Sequence, residues 1–341
     1  MPVPFPRRPV RSGLLGVFLV LGLAACAADT APPGDDPRGQ PEAATAQANP
    51  GAQANPGAQA GPVATAGRHM VVTANPLASA AGRDILRAGG SAVDAAIAAQ
   101  MVLNLVEPQS SGIGGGGFLL VHGAGRTTAY DGREKAPLGA TERLFLNADG
   151  QPLKFWDAVV GGISVGVPGV VRMLELAHRD HGRLPWAALF QPAIRLAEEG
   201  FIVSPRLAAL VAQDKYLRTF GPARDYFHPG GQAIAEGQRL RNPALARTLR
   251  AIADGGADAF YTGPVARDLV AAVAGASRHP GSLTLADLAA YRAVRRDPVC
   301  APYRAWTVCG MPPPSSGGVT VLQILKLLEG FPPADLTPAT P

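Results

Sequence analysis

Apolar positions follow three regimes along the chain. Gly13 to Ala25 is an unbroken apolar run, residues 27–67 show no periodicity, and from Arg68 onward hydrophobic residues recur at helical or alternating spacing. In the third regime Met70–Thr73 reads as a short strand. Pro76–Ala88 reads as a helix that begins with proline in its first turn and stops at Gly89-Gly90. Ser91, with Asp94 three residues on, has the form of a capping box and opens a second helix to Val106. Its Ala95, Ala96, Ala98 and Ala99 predict close contact with another helix. After a glycine-rich loop, Phe118–His122 and Thr127–Asp131 predict a hairpin turning through Gly123-Ala124-Gly125. Past Gly150 the spacing predicts helices over 168–180, 185–198, 205–213, 242–254, 264–274 and 284–291. Val299–Tyr303 and Ala305–Cys309 predict a second hairpin, and Val319–Leu328 a last helix. Gly330–Pro341 carries no element, and the chain is expected to be cut short there.

Composition divides the chain the same way. With 47% hydrophobic residues the chain has material for a core, but the segment from Cys26 to Gly67 is dominated by Ala, Pro, Gln, Gly and Asn. It repeats Gln47-Ala48-Asn49-Pro50-Gly51-Ala52 as Gln53-Ala54-Asn55-Pro56-Gly57-Ala58. Residues 26–67 are therefore expected to be a disordered tether, and 68–341 the folded region. Arg7, Arg8 and Arg11 precede the apolar run, which is too short to span a bilayer, so 1–25 reads as a signal peptide. Its Leu23-Ala24-Ala25-Cys26 ending resembles the bacterial lipobox, in which the cysteine is lipidated and becomes the new N-terminus. That implies a periplasm-facing lipoprotein, with the outer membrane the weaker preference because Ala27 gives no acidic retention signal.

The formal charge is +5, and removing the three leader arginines leaves +2. No basic run interleaved with aromatics occurs, so no nucleic-acid partner is expected. Cys300 and Cys309 remain as a candidate disulfide, because two short strands turning near Arg304 would set them opposite each other, with two buried free thiols as the alternative. His178 and His181 share helix spacing but have no third ligand beside them. A solvated helix end is the expected role, and no metal site is expected.

Two short motifs point to chemistry the order of elements does not support. Gly112, Gly114 and Gly117 satisfy the dinucleotide glycine pattern, yet the motif follows a helix and enters a strand, the reverse of a phosphate loop. Gly162-Ile163-Ser164-Val165-Gly166 has the form of a nucleophile elbow, with Asp225 or Asp254 and then His279 following in order. The region between them reads as helices without alternating parallel strands, so a structural turn is expected. Arg133 is a stronger candidate. It follows a strand and lies beside the glycine-rich loop, and its planar fork suits a carboxylate, although on these residues alone a surface arginine paired to Glu134 or Asp131 is the favoured reading.

The stretch Asp131-Gly132-Arg133-Glu134-Lys135-Ala136-Pro137 resembles the D-x-R-E-x-A-P motif of the γ-glutamyltransferase (glutathione hydrolase) family. The order of Gly89-Gly90-Ser91-Ala92-Val93-Asp94, Gly114–Phe118, Pro168-Gly169, Glu199-Gly200-Phe201, Phe260-Tyr261, Asp287-Leu288-Ala289-Ala290-Tyr291 and Met311–Gly318 is similar to that family over about 70–332. The resemblance implies an α+β, N-terminal-nucleophile hydrolase fold. This is a four-layer α-β-β-α sandwich cut by the precursor itself into large and small subunits, of which this chain resembles the large. It implies glutathione and similar γ-glutamyl small molecules as substrates, no cofactor, and Arg133 as the grip on the substrate α-carboxylate. It also implies attack by a new N-terminal threonine through an acyl-enzyme. The family's T-T-H-x-S-x-x-D segment does not occur in these 341 residues, and Thr127-Thr128 is followed by Ala129-Tyr130. No catalytic residue is therefore assigned, Gly317 and Gly318 read as a buried turn rather than an oxyanion hole, and the missing small subunit is the expected partner. The alternatives are a cephalosporin acylase-like amidase of the same fold and an inactive lipid-anchored remnant.

Overall fold

The computed structural model describes residues 64–333 and Leu336. The expected signal peptide, the expected lipidation site Cys26 and nearly all of the expected tether lie outside these residues. Asn75 caps α1 (Pro76–Arg87) by accepting from the Leu77 N–H, and Ser91 and Asp94 form the capping box of α2 (Ala92–Val106). The two helices pack on each other at close range because Gly82 faces α2. A Cβ there would stand 3.1 Å from the Ala95 carbonyl oxygen. Most of α2 is buried, with Ile97, Met101 and Leu105 at the centre of the core.

The first hairpin forms from β1 (Gly117–Gly123) and β2 (Arg126–Gly132), joined by Ala124-Gly125 with φ of 50° and 74°, the left-handed pair that a two-residue turn requires. Beyond it, α3 (Phe155–Val159) buries none of its residues, whereas α4 (Val170–His181) places Val171, Met173, Leu174 and Ala177 in the core. The expected helix over 185–198 is divided into a 3₁₀ turn at Trp186–Phe190 and α5 (Gln191–Glu199). Pro192 has no N–H to continue one hydrogen-bond ladder through the junction. Next come β3 (Phe201–Ile202), α6 (Pro205–Gln213), α7 (Gly221–Phe227), β4 (Arg239–Leu240), α8 (Pro243–Gly255), α9 (Asp258–Tyr261), α10 (Gly263–Ala274) and α11 (Leu285–Ala290). Then β5 (Val294–Arg296) returns to β2, pairing Ala129 with Arg296 and Asp131 with Val294, so the first sheet has the order β1-β2-β5. The second hairpin, β6 (Val299–Tyr303) and β7 (Trp306–Gly310), precedes α12 (Gly317–Leu328).

The mixed α and β composition matches the expected class. The described strands form one three-stranded and two two-stranded sheets. The expected strand at Met70–Thr73 does not form. Among the described residues no strand pairs with it, Met70 and Val72 are exposed, and Val71 instead packs against Gly82 of α1. An apolar run is a strand only where a ladder partner exists.

In the second hairpin Cys300 pairs directly with Cys309, their Cα atoms are 4.1 Å apart and the sulfurs are bonded at 2.10 Å. The closed loop is short, so the bridge is expected to add about 2 to 3 kcal/mol at most. Mass spectrometry of the non-reduced, alkylated and digested protein should find the two cysteines in one linked species; both carrying the alkyl group would reject the bridge.

Candidate functional site

Arg133 leaves the end of β2 on a loop tied down along its length. Asp131, buried at the strand end, accepts from the Arg133 N–H (2.9 Å) with one carboxylate oxygen and from Arg296 Nε (2.8 Å) with the other. The Arg133 carbonyl accepts the hydroxyl of Tyr291 at 2.7 Å. Lys135 exchanges both backbone hydrogen bonds with Val167, and the Leu138 N–H donates to Asp287 Oδ1 at 2.9 Å. The backbone around Arg133 is thus fixed on both sides, while its side chain is 59% exposed. A rigid loop carrying a half-free guanidinium is what capture of a small carboxylate requires. The other group in reach is Glu134, whose Oε2 stands 3.2 Å from Arg133 Nη1 as an ion pair without hydrogen-bond alignment.

Two glycines let the surrounding elements close on this loop. A Cβ on Gly169 would fall 2.1 Å from both the Gly132 carbonyl oxygen and the Tyr291 hydroxyl, and one on Gly132 would meet Met173 Cβ at 2.5 Å. The glycine-rich loop completes the contact. The Gly115 carbonyl accepts from the N–H groups of Gly169 and Val170 at the start of α4, and the Gly116 N–H donates to Glu134 Oε1 at 2.8 Å. Gly112, Gly114 and Gly117 therefore belong to a packing loop between a helix and a strand. That loop borders a cavity of about 480 Å³ lined also by Gln100, Ser111, Glu134 and Met173.

Tyr291 stacks on Tyr261 at 5.8 Å with 8° between the rings, and the Tyr261 hydroxyl donates to the Pro168 carbonyl at 2.8 Å. Burial pushes both phenols above their ordinary range, and the charges of Asp131 and Glu134 add to the effect at Tyr291, so both remain hydrogen-bond donors at neutral pH. Asp287 responds to opposed influences. Burial raises its pKa, but hydrogen bonds from Thr284 and the Leu138 N–H outweigh it and hold the carboxyl below the ordinary value. Asp287 and Tyr291 thus link α11 to the two ends of the arginine loop, a role carried over 149 and 158 residues of separation that sequence reading had not assigned.

The remaining candidates separate. Ser164 sits in a turn with its hydroxyl donating to the Val159 carbonyl (2.7 Å), as a structural turn rather than an elbow. His178 is not the expected solvated end: its side chain is 17% exposed, its Nε2 lies 2.9 Å from the Leu184 carbonyl and its ring packs edge-on against Trp186. His181 Nε2 lies 2.8 Å from the Tyr130 hydroxyl, which donates to Asp180. Gly317 and Gly318 open α12 rather than a turn. A Cβ on Gly318 would stand 2.3 Å from the Met311 carbonyl oxygen, so its function is close packing of the helix on β7. Cys300 and Cys309 lie in the second hairpin.

A family model described as gamma-glutamyltranspeptidase matches residues 78–341. The glutathione hydrolase proenzyme of Bacillus subtilis (strain 168) is 42% identical over 266 residues, covering 77% of this chain and 44% of that protein. The acylase ACY 1 proenzyme of Pseudomonas sp. (strain SE83) is 40% identical over 272 residues, covering 77% of this chain and 48% of that protein. The chain spans about half the length of the curated relatives it matches. Among solved structures, the gamma-glutamyltranspeptidase of Helicobacter pylori superposes with a TM-score of 0.77 at 35% identity, over 82% of this chain and 80% of that one.

Proposed function

We propose, from the premise that this chain belongs to the gamma-glutamyltranspeptidase family, that it carries the glutamate-gripping part of an enzyme that hydrolyses or transfers γ-glutamyl groups of glutathione and related small molecules. The observation that carries the reading is the half-exposed Arg133 fork on a loop pinned by Asp131, Tyr291 and Asp287. In this reading Arg133 receives the α-carboxylate through paired N–H···O bonds. That fixes the γ-amide in place for attack by a threonine hydroxyl whose own amine serves as base. The developing oxyanion and the amino group of the glutamyl moiety would be held by the partner small subunit.

The test is to assay the chain alone and joined to a C-terminal half bearing the Thr-Thr-His segment. Alone, it should turn over a γ-glutamyl anilide no faster than a buffer blank; completed, it should do so readily. Activity of the chain alone would sink the division of labour, and a completed enzyme that cleaves only non-glutamyl amides would place it with the acylases. We further read Cys26 as the lipidated residue of a periplasm-facing lipoprotein, on the strength of Leu23-Ala24-Ala25-Cys26. Metabolic labelling with a palmitate analogue should mark the wild-type precursor and not Cys26→Ser, and equal labelling of the two would reject the anchor.

A further inference from the structure

The short helix α3 begins with two aromatic residues and buries nothing. Phe155 is 68% exposed and Trp156 54%. They form part of a continuous aromatic surface: the Phe155 and Trp156 ring centres are 5.1 Å apart, and Tyr216 lies 5.8 Å from Trp156. The Arg278 guanidinium stands 5.7 Å from the centre of the Tyr216 ring and pairs with Asp157 at 3.0 Å, which joins α3 to the turn that precedes the 3₁₀ segment Leu217–Thr219. An aromatic side chain left in water forgoes burial free energy, and neither Phe155 nor Trp156 is required by the core, so the apolar area of this surface is available to a partner.

The charges around the cluster indicate which partner. Lys154, at the N-cap of α3, and Lys215 and Arg218, on either side of Tyr216, are exposed. The neighbouring acids are already engaged. Asp157 pairs with Arg278, and Asp214 accepts the N–H groups of Tyr216 and Leu217. Four cations against two committed carboxylates leave the surface positive. Lysine is depleted where proteins meet proteins, whereas tryptophan and tyrosine flanked by lysine and arginine match the headgroup region of an anionic bilayer.

We propose that α3 and the 214–218 turn form a peripheral docking surface for an anionic phospholipid membrane. The aromatic rings enter the headgroup boundary and the lysines meet lipid phosphates. No helix among the described residues is long and apolar enough to cross a membrane, so the contact is one of surface. It would set the folded body face-down on the membrane to which a lipid on Cys26 would tether it. The proposal shares that setting with the anchor reading but does not depend on it for its test.

The experiment uses the mature chain, residues 26–341 with Cys26→Ser, which removes both the leader and any acyl chain, and co-sedimentation with vesicles of phosphatidylglycerol and phosphatidylcholine against phosphatidylcholine alone. The expected result is binding to the anionic vesicles that weakens as salt rises, with a blue shift of tryptophan emission. Phe155→Ser with Trp156→Ser should lower the partition coefficient by about tenfold or more with unchanged thermal unfolding, since neither side chain is buried. Lys154→Glu with Lys215→Glu should lower binding to anionic vesicles by a similar factor while leaving the aromatic surface intact. Absence of wild-type binding, or undiminished binding by either double variant, overturns the proposal and assigns the face to a protein partner. The palmitate labelling decides the anchor separately.

Discussion

Lysine in place of Arg133 is expected to raise the Michaelis constant of the completed enzyme for a γ-glutamyl substrate by roughly ten- to a hundredfold. The change keeps the positive charge, so a loss of that size would report the loss of the fork itself. A guanidinium meets a carboxylate with two parallel N–H···O bonds, an ammonium only as a point charge. A charge-assisted hydrogen bond contributes about 1.5–3 kcal/mol, which converts to that range of affinities. Because on the proposed reading the arginine would grip a part of the substrate remote from the scissile amide, most of the effect should fall on the Michaelis constant, with a smaller loss of kcat from a displaced γ-carbonyl. The loop itself should be undisturbed: Asp131, Tyr291 and Asp287 hold it through backbone atoms or neighbours, none through the Arg133 side chain. A Michaelis constant unchanged in Arg133→Lys would remove this residue from the site.

Asp94→Ala should cost the folded chain about 3–5 kcal/mol, seen as a fall in the urea midpoint with the slope of the transition preserved. Asp94 is fully buried, and its Oδ2 accepts three backbone N–H groups, from Ser91 (2.8 Å), Arg183 (2.9 Å) and Leu184 (3.1 Å). One of these caps α2, and the other two fasten the turn after α4 to that cap across 89 and 90 residues. Alanine would leave three donors without an acceptor in a space closed to water, and each such donor is expensive. Asp94→Asn, which retains a carbonyl oxygen of the same reach, should lose distinctly less. A loss below about 1 kcal/mol in the alanine variant would mean that the turn relaxes to let water in.

Elements whose ends are written in local chemistry were legible in the sequence. The capping box of Ser91 and Asp94 starts α2 where expected, and α6 runs over the expected 205–213, with Ser204 accepting from the Leu207 N–H and Pro205 in the first turn. The first hairpin followed from two strand-forming runs around a turn able to take positive φ. By contrast β5, with Val294, Arg295 and Arg296, has no alternation to read and is a strand only because the exposed edge of β2 accepts it. Helices α3 and α7, at five and seven residues, are too short to show a helical period, so the sequence does not predict them. Met70–Thr73 shows the converse, β-prone residues with no edge to join.

For the candidate site, the sequence by itself nominated Arg133, at a strand end beside a glycine-rich loop, and gave a family pattern that comparison then showed. Capping, turn formation and helical periodicity act over a few residues, so they are encoded where they act. What only the tertiary structure decided is how the backbone around that arginine is held. Tyr291 and Asp287 reach back across some 150 residues to its loop, and Gly132 and Gly169 permit backbones to approach where any side chain would intervene. The same is true of Asp94, legible as a cap but not as the acceptor for the distant Arg183 and Leu184 N–H groups. Hydrogen bonds and close approaches of that kind depend on where packing brings distant segments together, a consequence of burying the whole apolar surface at once and not of any local stretch of residues.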